Sequence, residues 1–290
     1  MPFSSSSVSV RRSMKGMAGV SALGVLALAL AGCASVGSVA PVGAGVAEVS
    51  APDSSTAVNL ASLSEVVQKN PNDPAAYNTR GVAYATIGRF HAAIADFTRA
   101  VQLDPTNAAA YTNRALAYRQ VNQNGAALAD FDHAIQANPK HAPAYLGRAN
   151  LERTEGEYDK ALTDLNSAIQ LAPESAEAFH ARGLIYQKQG NDARAVQDFS
   201  DAIDRNPFVA APYQGRAESY LRLGDYKHAI ENFNASLNVN NRNADAWAGL
   251  GVAYERQGNR PKAIQSYQRS LAVDPGDRLA HAGLSRLGSS

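Results

Sequence analysis

Residues 244–277 read ADAWAGLGVAYERQGNRPKAIQSYQRSLAVDPGD, and the same arrangement returns every 34 residues back to Asn72. Stacked at that interval, one column reads Tyr77, Tyr111, Tyr145, Phe179, Tyr213 and Trp247. A second reads Ala93, Ala127, Ala161, Ala195, Ala229 and Ala263, and a third Phe97, Phe131, Leu165, Phe199, Phe233 and Tyr267. Bulky and small side chains held at fixed places predict two short helices per block, the alanine admitting close approach and the aromatics filling the space between neighbours. A fourth column, Gly88, Asn122, Gly156, Gly190, Gly224 and Gly258, supplies the two residue types that most readily end a helix in a left-handed conformation. Pro105, Pro139, Pro173, Pro207 and Pro275 close the blocks, with Asn241 as the exception. Proline cannot continue a helix and disfavours helical geometry in the residue before it.

A period of 34 with this pattern resembles the tetratricopeptide repeat, six units over residues 72–275. The last unit is nearest to the family pattern, with Trp247, Leu250, Gly251, Tyr254, Ala263, Tyr267 and Pro275 at its spacings and Ser270 where alanine is usual. A helix pair of this kind cannot bury its apolar face alone, so the units must stack. The resemblance implies an all-α fold, an α-solenoid built as a right-handed superhelix of helix-turn-helix repeats. Its first helices would line a concave wall that takes an extended peptide or a helix of a partner protein. Leu60, Leu63, Val66 and Val67 predict an N-terminal capping helix over 59–71, and residues 276–290 supply a C-terminal capping helix, from Arg278 to Leu287, and a tail.

Residues 1–32 differ in kind. Arg11, Arg12 and Lys15 precede an uncharged apolar run from Met17 to Ala31, too short to cross a bilayer comfortably and therefore expected to be a secretory signal. Leu30-Ala31-Gly32-Cys33 resembles a bacterial lipobox, which implies cleavage before Cys33 and lipidation of that residue, the sole cysteine of the chain. An ordinary signal-peptidase cut in an alanine-rich leader is the alternative. Two or three acyl chains on one cysteine make a durable anchor where one is marginal. By resemblance to the enterobacterial sorting rule, Ala34 rather than an aspartate after the cysteine directs the protein to the outer membrane, facing the periplasm. Residues 33–58 then form the lipidated cysteine and a flexible linker whose charges are Glu48 and Asp53. As a random coil, the stretch from Ala34 to Val58 spans roughly 25–30 Å.

Composition excludes several classes. A formal charge of +1 gives no basic surplus for nucleic acid, and a single cysteine gives no disulfide framework. Without the leader's three basic residues the chain has 24 basic against 26 acidic residues. The six histidines show no metal-ligand spacing, and no nucleophile turn is present. Neither a cofactor, a small-molecule substrate nor an enzymatic activity is expected.

Two sets of residues stand out when the blocks are compared with one another. Arg80, Arg114, Arg148 and Arg182 each precede an aspartate by sixteen residues, Asp96, Asp130, Asp164 and Asp198. The fifth block has Arg216 with Asn232, and in the sixth both positions change, to Leu250 and Ser266. Antiparallel helices can bring such positions side by side, so these pairs are expected to be structural bridges; a guanidinium ladder facing an anionic ligand is the alternative. The second set, near the ends of first helices, is Arg119, Arg153, Lys188, Arg222 and Arg256, with Leu146, Asn150 and His180 deeper in the wall. These are either favourable charges at helix C-termini or a basic stripe that meets acidic partner segments. Block three is the least regular: Glu152 replaces the tyrosine found at Tyr84, Tyr118, Tyr186, Tyr220 and Tyr254. A carboxylate there is costly unless paired, and Arg148 is one turn away, so a local packing variant is expected; a partner-recognition site around Arg119, Asn150, Glu152, Arg153 and His180 is the alternative. The dicarboxylate-clamp pattern of chaperone-binding relatives is not matched: Asn113 fits, whereas Asn78, Val82 and Gly147 do not.

A lipobox followed by these repeats resembles the NlpI type of lipoprotein, which implies an adaptor gathering cell-wall hydrolases and a protease. Pilotins and TadD-like assembly factors of pilus or secretion systems are the alternative resemblance, and a cytoplasmic scaffold is a third. A homo-oligomer through an outer face or a terminal cap is compatible with each.

Overall fold

The computed structural model describes residues 54–288, and these contain fourteen α-helices and no strand. Helix α1 runs Ser54–Lys69. Six pairs follow: α2 Pro74–Thr86 with α3 Phe90–Leu103, α4 Ala108–Gln120 with α5 Asn124–Ala137, and α6 Ala142–Glu155 with α7 Tyr158–Leu171. The others are α8 Ala176–Lys188 with α9 Asp192–Arg205, α10 Ala210–Arg222 with α11 Tyr226–Val239, and α12 Ala244–Arg256 with α13 Arg260–Val273. Helix α14, Arg278–Arg286, closes the array. The capping helix starts at Ser54, five residues ahead of the expected Asn59, so the end of the anticipated linker is helical. The leader, Cys33 and the rest of the linker lie outside the described residues.

The turns follow from backbone chemistry. Asn122 has φ 58° and Gly156 φ 83°, and the other four members of that column are also left-handed. Side-chain caps open most first helices: Asp73, Asn107, Ser175, Asn243 and Asp277 each accept a hydrogen bond from a first-turn amide.

Each helix packs on its partner and on the next unit's first helix. Successive first helices also touch one another, from α2 and α4 through to α12 and α14, whereas no second helix of the six pairs touches the next second helix. The stack is therefore closed along the first helices and splayed along the second, which makes the first-helix wall concave. The core is the aromatic column: Phe97, Phe131, Phe199, Phe233 and Tyr267 are fully buried. Burial of each phenylalanine contributes about 1.5–3 kcal/mol.

These rings fit because their flanking residues are small. A Cβ on Gly183 would meet Phe199 at 2.8 Å and one on Gly215 at 2.6 Å, so the ring lies between glycines of its own first helix and the next. Leu165 is flanked at the same two positions by Ala149 and Ala181, in one buried cluster. The smaller side chain and the larger neighbours compensate in volume, which accounts for the missing aromatic of repeat three.

Candidate functional site

The arginine column holds the array together. Arg80 Nε donates to Asp96 Oδ2 at 2.7 Å and Nη2 to Oδ1 at 2.7 Å. The same two-pronged contact joins Arg114 to Asp130, Arg148 to Asp164 and Arg182 to Asp198. A second arm reaches back to the preceding repeat: Nη1 of Arg114 donates to Thr98, of Arg148 to Asp132, of Arg182 to Asn166 and of Arg216 to Ser200. Each of these arginines thus ties its own second helix to the previous one, across the gap where second helices do not meet. The hydrogen bond to aspartate is the main cause that raises the Arg80, Arg148 and Arg182 pKa values above the ordinary arginine value. In repeat six Leu250 is buried and Ser266 Oγ donates to the Lys262 carbonyl at 2.8 Å, so the polar pair is replaced without leaving an orphan.

On the concave wall lies an open cavity of about 450 Å³ spanning α4, α6, α8 and α10. Arg119, Asn150 and His180 line it, together with Leu116, Leu146, Leu184, Val209 and Pro212. The structure does not bring Lys188, Arg222 and Arg256 to this place, and Arg153 stands beside the lining rather than in it, close enough to repel the charge of Arg119 and a proton on His180. Arg119 and Arg153 are one repeat length apart, but Lys188 is 35 residues after Arg153, one step out of register. One step is about 100° around a helix. Lys188, Arg222 and Arg256 are accordingly exposed, whereas Arg119 and Arg153 are half-buried. Arg222 is also engaged, its Nε donating to Asp192 Oδ1 at 2.8 Å.

Among the described residues, the side chains of Arg119 and Arg153 differ from every arginine of the bridge column in having no hydrogen bond or ion pair, and the Arg153 Nε is buried without an acceptor. Burial lowers the pKa of both, and Arg153 lowers that of Arg119 further by repulsion. His180, packed on the Phe199 ring, is pushed down to about 4 by burial and then by Arg153, so it is neutral at physiological pH. Further along, at the position of Asn150 and Leu184 in the preceding repeats, burial raises the pKa of Glu218, which accepts a hydrogen bond from Gln214, the counterpart of His180.

Glu152 is 8% exposed and is not paired with Arg148, whose donors are engaged by Asp164 and Asp132. Its Oε2 has no partner, and burial, then repulsion from Asp164, raises its pKa to about 7.

The cavity's far edge was not legible as a site from the repeat alignment alone, although the signal was there. Val209 and His141 are the two first-helix N-caps that make no side-chain capping bond. Phe208 precedes Val209 and is 85% exposed, where the other repeats have Asn72, Thr106, Lys140, Glu174 and Arg242.

Comparison with known proteins places this geometry. Among solved structures, similarity extends to the Cut9-Hcn1 hetero-tetramer of the APC/C at TM-score 0.69 and 18% identity, over 81% of this chain and 46% of that one. This chain therefore spans less than half the length of that relative. YrrB, described as a tetratricopeptide repeat protein with an unusual peptide-binding site, aligns at TM-score 0.57 and 24% identity, over 65% of this chain and 97% of that one. PilW, described as a widely conserved type IV pilus biogenesis factor, aligns at TM-score 0.66 and 18% identity, over 73% and 98% of the two chains. At these identities the likeness is one of fold. No curated protein matches the sequence. Family models of the tetratricopeptide repeat match residues 74–107, 97–129, 149–190, 176–208 and 215–278. Together these spans cover well over half of the chain, which belongs to the tetratricopeptide repeat proteins.

Proposed function

We propose that the protein is a membrane-anchored adaptor of the bacterial envelope, held by lipid on Cys33 at the outer membrane, whose groove binds segments of periplasmic partner proteins. It works by bringing proteins together rather than by chemistry of its own. The observation that carries the binding role is the cavity of about 450 Å³ on the inner wall, lined by apolar side chains and by Arg119, whose side chain has no partner among the described residues. YrrB, whose peptide-binding site belongs to the same fold, supports a peptide as the ligand. The lipobox at Leu30-Ala31-Gly32-Cys33 supports the anchor. Labelling cells with an alkyne fatty acid tests that part: signal on the wild type and none on Cys33→Ala is expected, and equal signal on both rejects it. Photo-crosslinkers at Leu146 and His180, read by mass spectrometry against one on the outer face at Asn166, test the groove.

A second reading is an assembly factor for a pilus or secretion system. The match over 98% of PilW and 73% of this chain favours it. Loss of surface pili in a deletion strain with normal cell-wall hydrolase activity would select this reading over the adaptor.

A further inference from the structure

We propose that the groove is specific for an acidic segment of a partner protein, one carboxylate of which sits between Arg119 and Arg153 while an apolar side chain enters beside Leu146, Leu184 and Val209. This rests on the groove being the protein-binding surface. The other arginines of α4, α6 and α8 are answered by aspartates, so the array has a regular means of neutralising a guanidinium and does not use it at these two positions. Two cations one repeat apart, repelling one another and with a buried Nε lacking an acceptor, lack the two oxygens that a carboxylate offers. His180, held neutral, adds no third charge and leaves room for the apolar part of the ligand.

The direction of the segment follows from the charges of the wall. Arg119 and Arg153 lie in the last turns of α4 and α6, while Glu177, the acidic residue of the lining, lies in the first turn of α8. First helices run parallel, so the basic edge and the acidic edge are opposite. At the α10 end, Val209 lacks the N-cap bond that five of its counterparts make and that His141 also lacks, and Phe208 stands exposed beside it. Omitting a cap costs about 1 kcal/mol. Val209, an apolar residue of the cavity lining kept at that cost with the exposed Phe208 next to it in the chain, fits a ligand whose acidic residue is followed by bulky apolar ones. Inorganic anions would use the arginines but not this edge.

Selection of displayed random dodecapeptides on the immobilised full chain tests the proposal. Recovered sequences should be enriched in Asp and Glu next to Leu, Ile or Phe. The best of them, made as a labelled peptide, should lose at least tenfold in affinity on Arg153→Gln and on a Glu-to-Gln change in the peptide, and weaken as salt rises. Arg153→Gln should keep the circular dichroism and thermal midpoint of the wild type, which separates lost recognition from lost fold. Binders that lack acidic residues yet are abolished by Leu184→Asp would overturn the charge specificity and leave the groove reading standing. Binders indifferent to both variants, or displacement of every binder by millimolar inorganic phosphate alone, would overturn both.

Discussion

Removing one partner of the Arg148–Asp164 bridge should cost far more than removing both. The side chains are 24% and 7% exposed and joined by two hydrogen bonds of 2.7 and 2.8 Å. Arg148→Ala leaves Asp164 charged, buried and unpaired, a condition that costs about 3–5 kcal/mol in buried pairs. The arm to Asp132, which is 52% exposed, adds no more than about 1 kcal/mol. The residual exposure of Arg148 lets water reach the gap, so about 3 kcal/mol is the working figure, or roughly 6–12 °C for an array that melts as one unit. The double change Arg148→Leu with Asp164→Ser copies Leu250 and Ser266, a pair this chain already uses, and the introduced hydroxyl can donate to the carbonyl one turn earlier. It should lie within about 1 kcal/mol of the wild type. Urea unfolding followed by circular dichroism reads the whole array, while fluorescence of Trp247, the single tryptophan, reads repeat six. In an array that melts as one unit the two transitions should move together. Equal losses for the single and double variants would refute the bridge as the source of stability.

Three further changes probe other parts of the array. Glu152 has its folded pKa raised to about 7 from 4.5, so the folded state holds a proton that the unfolded chain has lost, and stability falls as pH rises through that window. Glu152→Gln should match the wild type near pH 4.5 and melt higher than it at pH 8; a constant difference between their melting temperatures across that range contradicts the assignment. Gly215→Ala places a Cβ 2.6 Å from the Phe199 ring, and overpacking of about 1–3 kcal/mol should outweigh the gain of about 1 kcal/mol in helix propensity. Adding Phe199→Leu, the residue found at Leu165, should recover part of that loss in urea titrations. Val209→Asn should restore an N-cap and raise stability by about 1 kcal/mol while weakening partner binding, seen as a higher thermal midpoint with a reduced peptide signal.

What the sequence made legible and what it concealed divide along a physical line. Positions where repeats satisfy the same constraint announce themselves in a column: the left-handed turn at Gly88 or Asn122 returns six times, and the sixteen-residue spacing of Arg80 and Asp96 four times. Contacts between repeats are a different matter. Phe199 is admitted by Gly183 and Gly215 together, and Arg148 grips Asp132 of the preceding repeat, relations that a single column does not display. The basic stripe through Arg119, Arg153, Lys188, Arg222 and Arg256 breaks up for the same reason: all five lie near a helix end, yet Arg119 alone of them lines the cavity, and a slip of one residue sets Lys188, Arg222 and Arg256 out of phase with it. Helix phase, not distance along the chain, decides which charges share a wall. It follows that the informative positions in such an array are those that leave the column pattern while staying in phase with the concave face. Arg119, Arg153 and Val209 meet that condition, and each gives up something the fold would otherwise supply: a counter-ion for the first two and a helix cap for the third.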